Sequence, residues 1–392
     1  MKDGFVKAAA ASPVIKVADA EYNAQQVIKC MAAAREKGVK LLVFPELTLT
    51  GCFCYDLVGH RVLLEGAAAA LEKVVKVSEG TDMLVLVGLP YAFGSRLLSC
   101  AAVVYDGALL ALIPRENVAG SRFADYPGDG ELVYVGALET ELCPGALFAH
   151  RSLNGLTVAV ELGADVTAAD SPTAYYAQSG ATVIAQMASF PATVSSTDDA
   201  LLAARYESKR FACGLVLAAP GKGESTTDNV CSGLCLVSEN GMVLAQDERA
   251  DSMAVSEIDV DFLLNLRRRT GGFDLEAEEL CTALWGGELE ETTLTREYVK
   301  HPHLPARAED VPAYCERVLD IQVSGLVKRM EYAHLDHCVV GISGGVDSTL
   351  AVMVSAMAVK RMGLPATNVV ACTMPCFGTS SRTKSNAIIV AE

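Results

Sequence analysis

The sequence predicts an α/β protein with one large and one small unit, and three observations lead to this. Short apolar segments of strand type alternate with segments of helical periodicity through the first two thirds of the chain. Two pairs of these segments are joined by the hairpin-turn dipeptides Asp106-Gly107 and Asn240-Gly241. Near residue 340 another apolar strand runs into a glycine-rich loop and a helix, the beginning of a βαβ unit.

Apolar runs rich in Val, Leu, Ile and Ala predict buried strands in the large unit. They lie at 5–10, 39–44, 83–88, 101–105, 109–113, 156–160, 182–185, 214–218, 234–237 and 243–245. Apolar residues at helical spacing predict helices at 19–37, 66–77 and 197–210, the first ended by Gly38. We therefore assign residues 1–275 to one α/β domain.

Residues 276–312 break this pattern. They hold the single tryptophan, an acidic cluster and three prolines, and we expect a connector that crosses between domains. A second domain then begins at residue 313. A long helix over 311–332, a strand at 337–342, a helix at 348–362 and a strand at 368–373 form its βαβ unit.

Composition and charge exclude several classes of protein. The chain is 51% hydrophobic and 20% charged, which excludes a disordered protein. Its net charge is −16, which argues against a nucleic-acid partner. No apolar run reaches the ~18 residues of a membrane span. The thirteen cysteines are scattered without metal-ligand spacing, and we expect reduced thiols, no zinc site and a cytoplasmic location.

The loop after the strand near residue 340 has the chemistry of a phosphate site. Two glycines, Gly344 and Gly345, let a ligand approach the backbone, and the following helix offers unpaired N–H groups to an anion. Ser343 and Ser348 add hydroxyl donors, and Asp347 can hold a Mg²⁺ that bridges phosphates.

This run, SGGVDS, resembles the pyrophosphate loop of ATP-pyrophosphatase amidotransferase synthetases. The segments at 313–330 (AYCERVLDIQVSGLVKRM) and 371–387 (ACTMPCFGTSSRTKSNA) resemble those that flank the loop in glutamine-dependent NAD⁺ synthetases. The resemblance implies the first βαβ portion of a Rossmann-like adenine-nucleotide α-hydrolase domain over 313–392. It further implies ATP and Mg²⁺ as cofactors, and amidation of deamido-NAD through an adenylylated intermediate, releasing AMP and pyrophosphate.

In that family the N-terminal partner is a nitrilase-type glutaminase with an α-β-β-α sandwich fold. A Glu acts as base, a Lys stabilises charge and a Cys attacks the amide. Residues 41–57 (LLVFPELTLTGCFCYDL) resemble its first segment and place Glu46 at the base position. Residues 218–241 match in part.

The other two positions depart from the family. Arg115 stands where the lysine belongs, directly behind Pro114, and Gly163 stands at the position of the cysteine nucleophile. Since glycine has no side chain, the acyl-thioester route is closed there. We expect a glutaminase half that is inactive, and if Arg115 pairs with Glu46 the site is neutralised.

Three hypotheses follow from this. The first is an NAD⁺ synthetase homologue that takes ammonia from solution or from another protein. The second is a non-catalytic nitrilase-like scaffold or regulatory domain that supports an ammonia-dependent synthetase, within an expected homo-oligomer. The third is an amidase that uses Cys52 or Cys54, which lie near Glu46 in the sequence. Because the family's synthetase domain is longer than residues 313–392, we also expect no complete synthetase cycle from this chain.

Overall fold

The last seven residues of the first strand, Phe5–Ser12, are buried. This strand belongs to the first of two compact units, Met1–Arg296 and Glu297–Glu392. The computed structural model describes residues 1–118, 120–169, 171–273, 280, 282–305, 307–374, 377 and 381–391. Within these residues, no helix has the length and apolar character that a membrane span requires.

The first unit contains the following strands and helices in chain order. They are β1 (Phe5–Ser12), α1 (Ala20–Glu36), β2 (Leu41–Val43), α2 (Arg61–Ser78), β3 (Leu84–Phe93), β4 (Arg96–Tyr105), β5 (Ala108–Pro114), β6 (Glu131–Val135), β7 (Leu138–Leu142), β8 (Leu147–His150), β9 (Thr157–Leu162), α3 (Thr173–Gln178), β10 (Val183–Met187), α4 (Ser196–Arg210), β11 (Gly214–Ala218), β12 (Cys235–Glu239), β13 (Met242–Asp247), β14 (Ser252–Asp259), α5 (Val260–Thr270) and β15 (Thr282–Trp285).

These strands form two mixed sheets. The order is β14-β1-β2-β3-β4-β5-β7-β6 in the first sheet and β13-β12-β11-β10-β9-β8-β15 in the second. Because side chains alternate between the faces of a strand, each sheet has one face toward the other sheet and one toward helices. The predicted α-β-β-α sandwich is confirmed.

Three buried clusters account for the layers. One joins the facing sides of the sheets and includes Val6, Val103, Val160 and Val216. A second packs the outer face of the first sheet against α1 and α2. On the outer face of the second sheet, Ala204 of α4 packs among strand residues. Burial of this apolar surface holds the sandwich together.

Part of the predicted connector belongs to the first unit. We expected residues 276–312 to cross between domains, but residues 282–296 pack on the first unit. Strand β15 pairs in parallel with β8, and Trp285 is fully buried, its indole N–H donating to the Phe148 carbonyl at 3.0 Å. Further on, Arg296 forms a buried ion pair with Glu239 at 2.9 Å. The apolar tryptophan and this charge pair fix a segment whose paired glycines and acidic cluster had suggested a linker.

The second unit contains α6 (Val311–Tyr332), β16 (Cys338–Gly341), α7 (Val346–Arg361), β17 (Val369–Cys372) and α8 (Ser381–Ala391). Strands β16 and β17 pair in parallel, as a βαβ unit requires. Val323 of α6 packs with Val354 and Ala358 of α7. The helix and strands predicted after residue 311 are all present.

Candidate functional site

Three chain segments that each follow a strand converge in the first unit. Glu46 lies three residues beyond β2, Arg115 directly follows β5, and Gly163 directly follows β9. The first two strands belong to one sheet and the third to the other. The structure therefore brings together the three positions that the sequence singled out.

Glu46 is held in a tight turn after β2. Its backbone N–H donates to the Ala188 carbonyl at 3.2 Å, and the residue is buried. The turn passes so close to β3 that a Cβ atom on Gly88 would lie 2.2 Å from the backbone nitrogen of Leu47. Glycine at position 88 is thus what allows the carboxylate to reach this place.

Two donors hold the Glu46 carboxylate. The Ser99 hydroxyl donates to Oε1 at 2.6 Å, and Nη1 of Arg115 donates to the same oxygen at 3.3 Å. The Arg115 and Glu46 side chains are 9% and 2% exposed, so this ion pair is buried. Sequence reasoning did not identify Ser99. The feature that could have marked it is a serine within the apolar middle of β4.

Gly163 faces the same carboxylate. Its φ is +54°, in the left-handed region that favours glycine. A Cβ atom at this position would lie 2.4 Å from Oε2 of Glu46 and 2.8 Å from its carboxyl carbon. The Glu46 carboxylate therefore fills the space in which a side chain at position 163 would begin.

Asp165 ties the turn after β9 to the loop after β5. Its carboxylate accepts the backbone N–H of Asn117 at 2.6 Å and that of Glu116 at 3.2 Å. Burial raises the pKa of Asp165 to about 6. By fixing the loop directly after Arg115, Asp165 keeps the guanidinium against Glu46; sequence reasoning gave this residue no role.

A cavity of about 200 Å³ opens beside the ion pair. Glu46, Arg115, Cys52, Cys54 and Phe123 are among the residues that line it. The sequence had placed both cysteines near the Glu46 pocket, and the structure puts them there.

Neither thiol is activated. The Cys52 thiol donates to the Glu46 backbone carbonyl at 2.6 Å, and burial raises its pKa well above the ordinary value. Burial and the neighbouring Glu224 carboxylate raise the pKa of Cys54 to about 11. Because the thiolate is the reactive form, both thiols are poor nucleophiles.

Glu224 fixes the loop that carries these thiols. It lies in the segment at 218–241 that matches the family in part, and its carboxylate accepts the backbone N–H of Cys52 at 2.9 Å and of Phe53 at 3.2 Å. The shape of the cavity on this side is therefore set by a carboxylate rather than by packing alone.

The glycine-rich loop of the second unit has the form expected of an anion site. Strand β16 ends at Gly341 and α7 begins at Val346, with Gly344 at φ +79° between them. The Ser343 and Ser348 hydroxyls lie 3.2 Å apart across the loop. Asp347 is exposed in the first turn of α7. The free N–H groups of the helix and these hydroxyls suit a phosphate, and the carboxylate suits Mg²⁺.

Comparison with known families assigns the two units separately. Residues 7–263 match the carbon-nitrogen hydrolase family, and residues 318–392 match the NAD synthase family. The first match covers most of the sandwich and the second covers the glycine-rich loop.

Curated relatives are similar over nearly the whole chain. The glutamine-dependent NAD(+) synthetase of Mycobacterium leprae is 33% identical over 403 residues, which cover 98% of this chain and 59% of the relative. That of Mycobacterium tuberculosis is 33% identical over 408 residues, covering 99% and 60%. The chain thus spans about 60% of the length of these relatives.

Solved structures share the fold at low sequence identity. A glutamine-dependent NAD(+) synthetase from Cytophaga hutchinsonii aligns with a TM-score of 0.58 at 14% identity, covering 98% of this chain and 62% of that one. An amidase of the nitrilase superfamily from Nesterenkonia aligns with a TM-score of 0.51 at 17% identity, covering 67% and 95%.

Proposed function

The chain belongs to the carbon-nitrogen hydrolase family, and from this we propose that it is a homologue of glutamine-dependent NAD⁺ synthetases whose glutaminase site has been lost. One observation carries the proposal. Gly163 stands at the nucleophile position, and the Glu46 carboxylate, paired with Arg115, fills the space where a nucleophile's side chain would begin.

Loss of the nucleophile removes the first chemical step. Amide hydrolysis in this family needs a thiolate that attacks the carbonyl carbon and a carboxylate that accepts the proton. Here position 163 offers no sulfur atom, and the carboxylate is neutralised by a guanidinium that does not give up its own proton. The pocket keeps the layout of a glutaminase and its carboxylate, but it has neither the thiol nor the lysine.

The second unit supplies the nucleotide chemistry in this proposal. Ser343, Ser348 and the N-terminus of α7 would hold the phosphates of ATP, and Asp347 would hold Mg²⁺, which neutralises phosphate charge when it is bound. The carboxylate of deamido-NAD would be adenylylated, and ammonia would replace AMP. Nitrogen would then come from free ammonia or from a separate protein rather than from glutamine at Gly163.

Glutamine hydrolysis by the full chain tests the first half of the proposal. Glutamate release is measured with and without ATP and deamido-NAD, next to an active nitrilase-type glutaminase of known concentration. We expect no release above the rate without protein. Turnover comparable to that of the active enzyme would contradict the loss of the site.

A second candidate function is a non-catalytic scaffold. The observation that favours it is the packed core: in the described residues both sheets and their helical layers are present, although the Lys and Cys positions hold Arg115 and Gly163. A version of the protein that begins at Glu297 removes the sandwich together with the 282–296 segment that packs on it. Analytical sedimentation should then give fewer subunits per assembly than the full chain has. An unchanged number of subunits would exclude the scaffold.

A further inference from the structure

A second cavity of the first unit lies away from the Glu46 pocket, between α4 and the ends of β10 and β11. It has a volume of about 500 Å³, which is within the usual range for a small-molecule site. Val166, Phe190 and Leu217 form apolar walls. Val166 and Leu217 are 5% and 2% exposed, so these walls belong to the packed interior.

The polar residues that line this cavity include two carboxylates, Glu207 and Asp199, and the amide of Gln186. Gln186 is 1% exposed, and its amide nitrogen donates to Glu161 at 2.9 Å and to Glu207 at 3.1 Å. Both amide hydrogens are thereby used, which leaves the Gln186 carbonyl oxygen as an acceptor. Glu207 lines the cavity beside it, and the exposed Asp199 lies at its mouth.

No cation offsets these carboxylates within the described lining, which contains neither Lys nor Arg. Burial raises the pKa of Glu207. Glu161 lies behind Gln186 and also accepts a hydrogen bond from Thr173. A carboxylate placed in this way is stabilised when a ligand brings a positive charge beside it.

We propose that this cavity binds a small organic cation, a protonated amine with an apolar body. The apolar body lies against Phe190 and Leu217, and the ammonium group donates to the Glu207 carboxylate and the Gln186 carbonyl. Asp199 attracts the cation at the entrance. Such a site is separate from the glutaminase pocket and does not depend on the function proposed above.

Benzylamine and benzyl alcohol are a matched pair of probes, since they share the ring and differ in charge near neutral pH. Isothermal titration of the full chain should show benzylamine binding at least about tenfold more tightly than the alcohol, about 1.4 kcal/mol. Absence of benzylamine binding, or equal affinity for the two probes, would overturn the proposal.

Two variants and a control locate the binding site. Glu207→Gln keeps the shape of the side chain and should weaken benzylamine binding about tenfold. Ala203→Phe fills the cavity and should abolish binding, with a cooperative thermal transition showing that the variant is folded. Asp198→Asn removes an equal charge from the same helix outside the cavity lining and should leave affinity unchanged. Wild-type affinity in Glu207→Gln, or in folded Ala203→Phe, would refute the assignment.

Discussion

Replacement of Arg115 by methionine should destabilise the N-terminal unit by about 3 kcal/mol. The guanidinium lies 3.3 Å from Oε1 of Glu46, and both side chains are buried. At an effective dielectric constant of 20, charges at this distance attract by about 5 kcal/mol. Removal of one partner from a buried pair costs about 3–5 kcal/mol. Because Ser99 still donates to the carboxylate at 2.6 Å, we expect the lower end of that range.

The chain provides its own probe for this measurement. Trp285 is the single tryptophan and is fully buried in the core between the two sheets. Its fluorescence during urea unfolding therefore follows the N-terminal unit rather than residues 297–392. Linear extrapolation of the transition gives the free energy of unfolding of wild type and variant.

Arg61→Met serves as the matched control. Arg61 forms an ion pair with Glu65 at 3.7 Å, and these side chains are 85% and 65% exposed. An exposed pair of this kind contributes less than about 0.5 kcal/mol. If Arg115→Met were no more destabilising than Arg61→Met, the Glu46–Arg115 pair would not hold the site closed and our account of the pocket would be refuted.

Three further predictions concern single residues. Gly163→Cys should lose about 2 kcal/mol of stability, because its Cβ would clash with the Glu46 carboxylate and because the backbone φ at this position is positive. The variant should also release no glutamate from glutamine, and glutaminase activity in this single variant would contradict the prediction. Burial raises the pKa of Glu161 from 4.5 to about 8. The stability that the protonated side chain contributes is therefore complete below pH 4.5 and is lost as the pH rises to about 8. In urea titrations of Glu161→Gln, the free energy of unfolding should lack up to about 1.4 kcal/mol per pH unit of that decline, and the same pH dependence as in wild type would contradict this. Asp347→Asn should weaken Mg²⁺-ATP binding about tenfold in calorimetry, whereas Asp336→Asn, an exposed carboxylate outside the loop, should not, and equal effects would refute the role of Asp347.

Much of the secondary structure could be predicted because local pattern and burial agree. The helix over 311–332 and the strand at 214–218 have the predicted bounds, and Asp19 caps α1 directly before its apolar positions, accepting the Tyr22 N–H at 3.0 Å. In elements of this kind, the spacing of apolar residues within a single segment is enough to distinguish a helix from a strand. They can therefore be identified without tertiary information.

Other strands depend on distant partners. Strand β14 pairs along its whole length with β1, more than two hundred residues earlier in the chain, and β6 pairs with β7 at the sheet edge with alternate residues exposed. Neither segment was predicted. Both contain polar and apolar residues without a clear pattern, and such segments form strands only when the partner strand is in place. The same reason explains why residues 282–296 appeared to be a linker.

The sequence by itself singled out Glu46, Arg115 and Gly163, because the segments that hold them resemble those of nitrilase-type glutaminases. It also determined the glycine-rich loop, whose spacing is local. Only the tertiary structure decided how these three residues contact one another. Glu46 and Arg115 are 69 residues apart in the chain. Their ion pair forms because β2 and β5, which are separated by β3 and β4, end at the same edge of one sheet, while β9 ends opposite them in the other. The size and charge of the cavity beneath α4 are likewise set by packing between segments, which no local pattern encodes.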